Sequence, residues 1–502
     1  MLITLTAPAF AETWYIENGD ITVKASGTEG KNTVSQGDKK DVEDTNTIIT
    51  NQKTDTASSN TVTIDANGKN DKVEVTLKDV NIDTSSRKNA AVSVTGEGDT
   101  NIKLDGDNAL KSDTYRSGIA STGSLTISGG ENDSLTAQGG SGANGISSSG
   151  SLTISGGTVT ANGDDGGHGI YSRGGVTISG GSTVTAKGES GAISGGDGIR
   201  SDGGVTISGG TVNATGGNGG TISGGDGIRS GGGLTVSDGT VTAKGGNGDS
   251  KDGYGGDGIR SGGVVTISGN TVNAAGGYGG KVGGYGICSF DRVAISGGTV
   301  EAAGGNGSTG GGSGIYSSVI DLSGSLELTA KAGSPTGKAL LQNGRELDLD
   351  TIKDKLGPGA KVTTTDANGE TKEVSIPLPV EPEKPVIPEE SSSSSDGGSA
   401  TPSAPASPLP GLTVTDKDGQ RISYTSTQSG NTLTVCVGRF TASLRASLSA
   451  LRQLRAEGIE TITFQTILCS TTLSVDELLA MGGEDAEAVL THRSTDSSLT
   501  VG

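Results

Sequence analysis

Three copies of the motif Asp-Gly-Ile-Arg-Ser carry the charged residues of this chain that are best placed to do chemistry. If the copies stack as neighbouring strands about 4.8 Å apart, like charges repel by about 0.9 kcal/mol even in water. The aspartates then either pair with the arginines or bind Ca²⁺, which takes about six to eight oxygen ligands. The predicted metal ligands are Asp197, Asp226 and Asp257, and the predicted ligand-binding arginines are Arg200, Arg229 and Arg260.

Tyrosine is the second residue type that indicates recognition. Only 3% of the residues are aromatic, yet several tyrosines fall in the last regular repeats and another lies near His168. Exposed tyrosine rings are frequent in recognition surfaces, and a sugar ring can lie flat against one. Scattered surface tyrosines are the alternative. The tyrosines predicted to bind a ligand are Tyr171, Tyr254, Tyr278, Tyr285 and Tyr316, and no catalytic residue is predicted.

A repeated Gly-Ile step indicates which elements position these residues. Eight isoleucines follow a glycine at intervals of 24 to 31 residues, and a serine comes two positions after each. Eight matches at a variable period indicate true repeats whose length varies only in loops. The isoleucines are Ile119, Ile146, Ile170, Ile199, Ile228, Ile259, Ile287 and Ile315.

Alternation within one repeat predicts the fold. Val205 and Ile207, and later Val212 and Ala214, recur at period two with polar residues between them. The glycine pair Gly209–Gly210 predicts a bend, because glycine adopts positive φ at little cost. Three short strands in about 28 residues predict one coil of a right-handed parallel β-helix, closed by a Gly/Asn-rich loop. Outward Thr-x-Thr pairs such as Thr158/Thr160 could form a flat hydroxyl array, although threonine is also an ordinary exposed strand residue.

The remainder of the chain differs in composition. Residues 1–11 end in Ala9-Phe10-Ala11 and are interpreted as the remnant of a secretion signal, which predicts a secreted or surface-exposed protein. The β-helix with its degenerate caps is predicted over 12–379, followed by a Pro/Ser/Glu-rich linker at 380–410. A small α+β domain is predicted at 411–502, with a hairpin formed by Leu412–Val414 and Thr432–Val435 and a helix from Ala442 to Glu457. A strand at Ile462–Phe464 and a short helix at Val475–Ala480 complete it.

Charge and composition exclude several classes. The net charge is −20 without any basic run, so nucleic acid is an unsuitable partner, and no stretch is apolar for long enough to cross a membrane. The chain contains no CxxC motif, and its three cysteines, Cys288, Cys436 and Cys469, cannot form a disulfide framework. Whether Cys436 and Cys469 pair is open. Because His168 and His492 are its two histidines, neither a His-rich metal site nor a triad is expected.

The repeat DGIRSDGGVTISGGTVNATGGNGG resembles the secreted clostridial carbohydrate-binding family of right-handed parallel β-helices, which has the pectate-lyase-like fold. The resemblance covers roughly residues 60–330, and the segment from Trp14 to Ile21 is similar to the opening of that family. It implies extracellular binding of plant-type or acidic polysaccharides with bound calcium. Asp197, Asp226 and Asp257 are most like its acidic coil loops. In other coils the place of the aspartate is taken by Asn144, His168, Tyr285 and Ser313.

Three functions compete. The leading one is non-catalytic polysaccharide binding outside the cell, with or without calcium. A passive adhesin or surface stalk is the second. The third is a calcium-dependent polysaccharide lyase, for which Asp226 with Arg229 or Arg260 is the one constellation that can be nominated. Repetition argues against the lyase, because an active site is usually a local exception to a repeat.

Overall fold

The computed structural model describes residues 12–26, 30–378, 411–416, 419–422, 424–429, 431–437, 441–466, 470–481, 486–492 and 497–501. The predicted secretion-signal remnant and the predicted linker lie outside these residues. Contacts divide the chain into two compact units, Met1–Glu383 and Lys384–Gly502. Within the described residues, no helix is long and apolar enough to span a membrane.

The first unit is a β-solenoid of about 13 turns spaced about 28 residues, as predicted. Its first strands are less regular than the rest, and a 3₁₀ helix at Ile16–Asn18 interrupts them. They are β1 (Thr13–Tyr15), β2 (Ile21–Ala25), β3 (Asn32–Gln36), β4 (Lys39–Asp44), β5 (Ile48–Thr50), β6 (Val62–Ala66), β7 (Lys72–Lys78), β8 (Asn81–Asp83), β9 (Val92–Gly96), β10 (Asp99–Asp105) and β11 (Asp107–Lys111).

The regular coils begin at the first repeated isoleucine. Early coils have three separate strands: β12 (Ile119–Ser121), β13 (Ser124–Ser128), β14 (Ser134–Gln138), β15 (Ile146–Ser148), β16 (Leu152–Ile154), β17 (Thr158–Asn162), β18 (Ile170–Ser172), β19 (Val176–Ile178) and β20 (Thr183–Lys187). In the next three coils the second and third strands fuse: β21 (Ile199–Ser201), β22 (Val205–Thr215), β23 (Ile228–Ser230), β24 (Leu234–Lys244), β25 (Ile259–Ser261) and β26 (Val265–Ala275). In the following coil all three strands form β27 (Ile287–Ala303), and in the last regular coil the first two form β28 (Ile315–Leu322), followed by β29 (Leu326–Lys331).

Each regular strand pairs in parallel with its equivalent one coil away, so equivalent residues form columns along the solenoid. The repeated isoleucines pair one above another and are completely buried. The predicted bend inside β22 is present, since Gly210 has φ +78° and the pairing register shifts between Ile207 and Thr211. The alternation of side chains therefore places the residue between isoleucine and serine on the outer surface of every coil.

The glycines between the third strand and the next Gly-Ile step form a packed wall, whereas the sequence predicts only a returning loop there. The N–H of Gly217 donates to Gly196 O, that of Gly225 to Gly217 O and that of Gly246 to Gly225 O, each at 2.8 Å. A Cβ on Gly225 would lie 2.0 Å from Gly196 O. Backbone thus occupies the space that side chains fill elsewhere, which explains how a chain with 3% aromatic residues closes its interior.

Antiparallel strands close both ends of the solenoid. At the start, β2, β3 and β4 form an antiparallel meander, and the buried Trp14 Nε1 donates to Asp44 Oδ2 at 2.8 Å. At the other end a 3₁₀ helix, Leu349–Lys355, packs with four strands: β30 (Leu340–Gln342), β31 (Arg345–Glu346), β32 (Lys361–Thr365) and β33 (Thr371–Ser375). These ends protect terminal strand edges, as the degenerate flanks predict.

The described residues of the second unit form β34 (Leu412–Thr415), β35 (Arg421–Ile422), β36 (Thr425–Ser429), β37 (Thr432–Cys436), β38 (Ala442–Ser447), α1 (Leu448–Ala456), β39 (Thr461–Gln465), β40 (Ser470–Ser474), α2 (Val475–Met481), β41 (Glu487–His492) and β42 (Ser497–Val501). These strands make two sheets, one with the order β35-β34-β38-β41-β42 and the other with the order β36-β37-β39-β40.

Two predictions for this unit are wrong. The strands β34 and β37 are not a hairpin, because β34 pairs with β35 and β38 whereas β37 pairs with β36 and β39. The helix begins six residues later than predicted. Ala442–Ser447 is a strand between β34 and β41, and the helix is Leu448–Ala456. The strand at Thr461–Gln465 and the helix at Val475–Met481 are confirmed. Cys436 Sγ contacts Gln465 Oε1 at 3.5 Å, and Cys469 lies outside the described residues.

Candidate functional site

The residue between isoleucine and serine forms one outward-facing column, which we name the row. Parallel pairing places its members directly above one another on consecutive coils. At a strand spacing of about 4.8 Å, five steps extend over roughly 24 Å. All members are partly exposed except the cysteine, which is buried. The row consists of Tyr171, Arg200, Arg229, Arg260, Cys288 and Tyr316.

Aromatic rings flank the three arginines of the row. At one end, the guanidinium carbon of Arg200 lies 5.9 Å from the centre of the Tyr171 ring, and Tyr171 OH donates to Asp202 Oδ2 at 2.8 Å. At the other end, the Arg260 guanidinium lies 5.0 Å from the ring centre of Phe290, which is 53% exposed. A guanidinium over a ring keeps its N–H donors available at the ring's edge. The surface therefore places three cationic side chains between apolar ring faces.

Tyr285 extends this surface, because its ring stacks on that of Tyr316 with centres 5.0 Å apart and planes 16° apart. Tyr254 and Tyr278 lie elsewhere on the coils. Lys281 Nζ is 5.7 Å from the Tyr254 ring centre, and the backbone N–H of Tyr278 donates to Asn247 Oδ1 at 2.9 Å. The structure therefore brings three of the five predicted tyrosines to the row and leaves two outside it.

A second column lies beside the row, and we name it the acceptor ladder. Its side chains each accept a hydrogen bond from the backbone N–H of the equivalent residue in the next coil. Asn144 Oδ1 accepts from His168 at 2.9 Å, and each later bond is 2.7 Å long, ending on the N–H of Tyr285. The acceptor ladder consists of Asn144, His168, Asp197, Asp226 and Asp257.

The acceptor ladder explains why aspartate is replaced in other coils. Asn144 Oδ1 and His168 Nδ1 each accept one backbone hydrogen bond, as the Oδ1 atoms of the aspartates do, so the three residue types are equivalent in this role. Because His168 Nδ1 accepts from the Asp197 N–H, the ring proton of the neutral form lies on Nε2. The side chain at this position therefore serves first to accept a hydrogen bond from a backbone N–H of the next coil.

Burial controls the charge of the ladder. Asp197, Asp226 and Asp257 are each at most 5% exposed. Burial, with the neighbouring carboxylate second, raises the pKa of Asp226 and of Asp257 to about 7, and burial raises the pKa of Asp197. Burial, with Arg200 second, lowers the pKa of His168 to about 4. The ladder thus holds protons that exposed carboxyl groups would release.

Arginines of the row lie beside the aspartates of the ladder on the same coil. The distances from Nη1 to Oδ2 are 3.7 Å for Arg200–Asp197, 3.6 Å for Arg229–Asp226 and 3.1 Å for Arg260–Asp257. Among the described residues, Asp197 Oδ2 and Asp226 Oδ2 have no hydrogen-bond partner. Each of the three coils thus contains the Asp–Arg pair that the sequence offered as the alternative to calcium binding.

Calcium finds no ready-made set of ligands in this arrangement. The described part of the chain contains no group of three or more His, Cys, Asp or Glu side chains placed to hold a metal ion. Each predicted metal ligand, Asp197, Asp226 or Asp257, stands on its own coil and pairs with an arginine. Calcium binding stays a prediction.

Asp202, Phe290 and Cys288 were not among the predicted site residues. Cys288 could have been found, since it takes the arginine's place in the Gly-Ile-X-Ser motif that directly follows the three Gly-Ile-Arg-Ser copies. Asp202 and Phe290 occur in single copies, so the repeat carried no signal for them. The predicted threonine array aligns on the third strands, in a column separate from the row: Thr158, Thr183, Thr211, Thr240, Thr271 and Thr299.

The fold and the row define an extended β-solenoid with an exposed column of cationic and aromatic side chains. Residues 54–310, just over half of the chain, match the model of the family described as "Carbohydrate-binding domain-containing protein". The chain belongs to this carbohydrate-binding family, which confirms the resemblance seen in the repeats and supports polysaccharide binding. No curated protein and no solved structure matches the chain significantly.

Proposed function

We propose that this protein is a non-catalytic polysaccharide-binding protein that acts outside the cell and binds its glycan along the row. The observation that carries the proposal is the pairing register, which stacks Tyr171, Arg200, Arg229, Arg260 and Tyr316 in one exposed column. Family membership supplies the ligand class. The predicted secretion signal supports the extracellular location.

The chemistry of the row fits a polymer better than a small molecule. Its arginines repeat along the solenoid axis, so a glycan lying parallel to the axis would meet the same donor on three consecutive coils. Arginine forms paired hydrogen bonds with carboxylates and also donates to hydroxyl oxygens. Ring faces at both ends accept the apolar face of a sugar by contact. An acidic polysaccharide is the ligand class that uses all of these features.

Overall charge sets a condition on this binding. The chain carries a net charge of −20, so an acidic glycan is repelled at long range and attracted only by the local arginines. Screening by salt weakens both effects over a Debye length of about 8 Å at physiological ionic strength. Ring contacts are insensitive to salt, and we therefore expect part of the affinity to survive at high ionic strength.

The burial of the aspartates supports a non-catalytic role. A lyase would need a base or a metal-bound carboxylate in contact with the sugar. Asp226 and Asp257 are 5% and 4% exposed and hydrogen-bond the backbone of the next coil. Their carboxylates are engaged within the wall, so the constellation nominated for a lyase has no exposed acid to offer.

Affinity electrophoresis of the full chain through gels containing polygalacturonate, with calcium and again with a chelator, tests the proposal. Retardation is expected, and Arg229→Gln should reduce it about tenfold in apparent affinity, the value of one charge-assisted hydrogen bond. Lys244→Gln is the matched control, because Lys244 faces outward from the third strand of its coil and has the same charge. Tyr316→Ala should weaken binding, whereas Tyr278→Ala, outside the row, should not.

The outcomes separate the competing functions. Unchanged mobility in both gels would contradict acidic-glycan binding and favour a passive stalk. Retardation that disappears in the chelator would support calcium assistance at the aspartates. Release of an ultraviolet-absorbing unsaturated product from polygalacturonate would favour the lyase and overturn the non-catalytic part of the proposal.

A further inference from the structure

A polar cleft of about 330 Å³ lies at the start of the solenoid, far along the chain from the row. It exists because β5 pairs with β7 only from Thr76 onward, so no described strand covers the first half of β7 on that side. The side chain of Asn32 on β3 reaches into this place instead, and its Nδ2 donates to Glu74 O at 2.7 Å. We name it the N-terminal cleft, and its polar lining includes Asn32, Thr47, Glu74, Thr100, Asn101 and Thr126.

The polar groups of the N-terminal cleft are held in place by one another. Asn32 Nδ2 also donates to Thr47 Oγ1 at 2.9 Å, and Asn101 Nδ2 donates to Glu74 Oε2 at 3.0 Å. Asn32 and Thr47 are 6% and 2% exposed, so these side chains are fixed before any ligand arrives. Preorganised amide, hydroxyl and carboxylate groups are the set that orients a small polar ligand in a pocket.

Alternation along the strands decides which polar groups face the N-terminal cleft. Glu74, Asn101 and Thr126 stand in register on β7, β10 and β13, and their side chains are exposed or partly exposed. Thr100 stands in the core column with Val73 and is 1% exposed. A ligand in the cleft therefore meets the outward column of Glu74, Asn101 and Thr126, and the Thr100 hydroxyl lies behind it.

We propose that the N-terminal cleft binds a single sugar residue of a glycan. Sugar hydroxyls donate and accept at once, which matches the mixture of hydroxyl, amide and carboxylate groups in the lining. The ligand class rests on the proposed function, but the site does not rest on the row. Asn32 and Thr47 precede residue 54, where the family match begins, so this site is built partly by a segment that the match does not cover.

The single tryptophan of the chain is a built-in reporter for this site. Trp14 Nε1 donates to Asp44 Oδ2, and Asp44 is followed directly by the cleft residues Thr45, Asn46 and Thr47. A ligand in the N-terminal cleft therefore acts on the segment that holds the indole. The row begins at Tyr171 in later coils, and a ligand bound there has no comparable connection to Trp14.

Tryptophan fluorescence of the full chain, titrated separately with D-glucose, D-galactose and D-galacturonate, tests the proposal. At least one sugar should give a saturable change. Thr126→Val, which is nearly isosteric and removes a hydroxyl from the outward column of the cleft, should weaken that binding about tenfold. Thr153→Val, one coil further along the same column on the outer face of β16, is the matched control and should bind like the wild type. If Thr126→Val does not fold, Asn101→Ala replaces it with the same expectation.

The two proposals fail in different ways. No saturable change with any of the three sugars would mean that the N-terminal cleft holds only water, and the inference would be wrong. Equal affinity in the wild type and in the folded cleft variant would also overturn it. Arg229→Gln should leave the fluorescence titration unchanged, whereas it should reduce retardation by polygalacturonate. A defect of Arg229→Gln in the fluorescence titration would contradict a separate site.

Discussion

The regular coils and the N-terminal end of the solenoid close the same kind of interior by different means. In the regular coils, stacked glycines such as Gly196 and Gly225 let backbone pack on backbone. At the N-terminal end, buried side chains such as those of Trp14, Asp44 and Asn32 pack in the interior and hydrogen-bond one another or the backbone. The comparison teaches that glycine in the regular coils is required for packing, because no side chain fits between neighbouring coils at these positions.

The same difference separates the two proposed binding surfaces. Where every coil is alike, outward residues fall into continuous columns, and the result is an extended surface suited to a polymer. Where the repeat is irregular and β5 covers only part of β7, the result is a local cleft suited to one sugar residue. The extended surface therefore belongs to the coils that stacked backbone closes, and the cleft belongs to the end that side chains close.

The largest expected effect comes from adding a methyl group to the glycine wall. Gly225→Ala would place a Cβ 2.0 Å from Gly196 O, so the coils must separate, and we expect a loss of about 3 kcal/mol or more in the free energy of unfolding. Gly181→Ala is the control, since its Cβ would meet no atom within 4 Å. Thermal unfolding followed by circular dichroism measures both variants. Equal melting temperatures would show that the glycine wall is not close-packed.

A smaller effect is expected at the side-chain-sealed end. Trp14→Phe keeps most of the ring and removes the donor to Asp44 Oδ2, leaving a buried carboxylate oxygen without that bond. The expected destabilisation is about 1–3 kcal/mol. Tyr15→Phe, at a neighbouring exposed position, should have almost no effect. Denaturant unfolding provides the measurement, and a wild-type midpoint for Trp14→Phe would contradict the sealing role of this contact.

The acceptor ladder makes the stability of the regular coils depend on pH. Asp226 and Asp257 have pKa values raised to about 7, so the folded state keeps protons that the unfolded chain releases near pH 4. The stability that they contribute is complete at low pH and is lost as the pH rises from about 4 to about 7. The groups facing Asp226 are Asp197, Asp257, Arg229 and Arg260.

Asp226→Asn isolates this effect, because asparagine keeps the acceptor atom, as Asn144 does, and cannot ionise. The variant should be more stable than the wild type at pH 8 and similar to it near pH 4. His168 opposes the trend, since its pKa is lowered to about 4 and its neutral form is favoured in the folded state, so stability is lost as the pH falls below 6.5. Asp202→Asn, at an exposed position, is the control. Melting curves across this pH range would contradict the account if Asp226→Asn and Asp202→Asn behaved alike.

The columns of the solenoid could be predicted because they depend on covalent alternation. Once Gly-Ile-X-Ser recurs, Ile228 must point inward and Arg229 outward, and parallel stacking does the rest. The glycine wall could not be predicted, since closeness of backbones depends on three-dimensional packing that leaves no side-chain pattern. For the same reason the shared role of Asn144, His168 and Asp226 was visible only in their backbone partners.

The wrong start of the helix in the second unit also arose because three-dimensional pairing decides what the sequence pattern leaves open. Leu444, Leu448 and Leu451 fit helical spacing, but Ala442, Leu444 and Ala446 also alternate at the spacing of a strand. Pairing partners decided between the two, because β34 and β41 flank Ala442–Ser447 on both sides. Ser447 then caps the helix by accepting from the N–H of Ala450, which fixes where the helix begins.

The row, rather than the third-strand face of the solenoid, is proposed to bind the acidic polysaccharide. Two triple variants with equal charge change test it by affinity electrophoresis: Arg200→Gln/Arg229→Gln/Arg260→Gln in the row, and Lys187→Gln/Lys244→Gln/Lys331→Gln on the third strands. Each takes the net charge from −20 to −23, since three positive charges are removed. Loss of retardation by polygalacturonate in the arginine variant and its retention in the lysine variant is the predicted result. Equal retardation of the two folded variants, or a greater loss in the lysine variant, would contradict it.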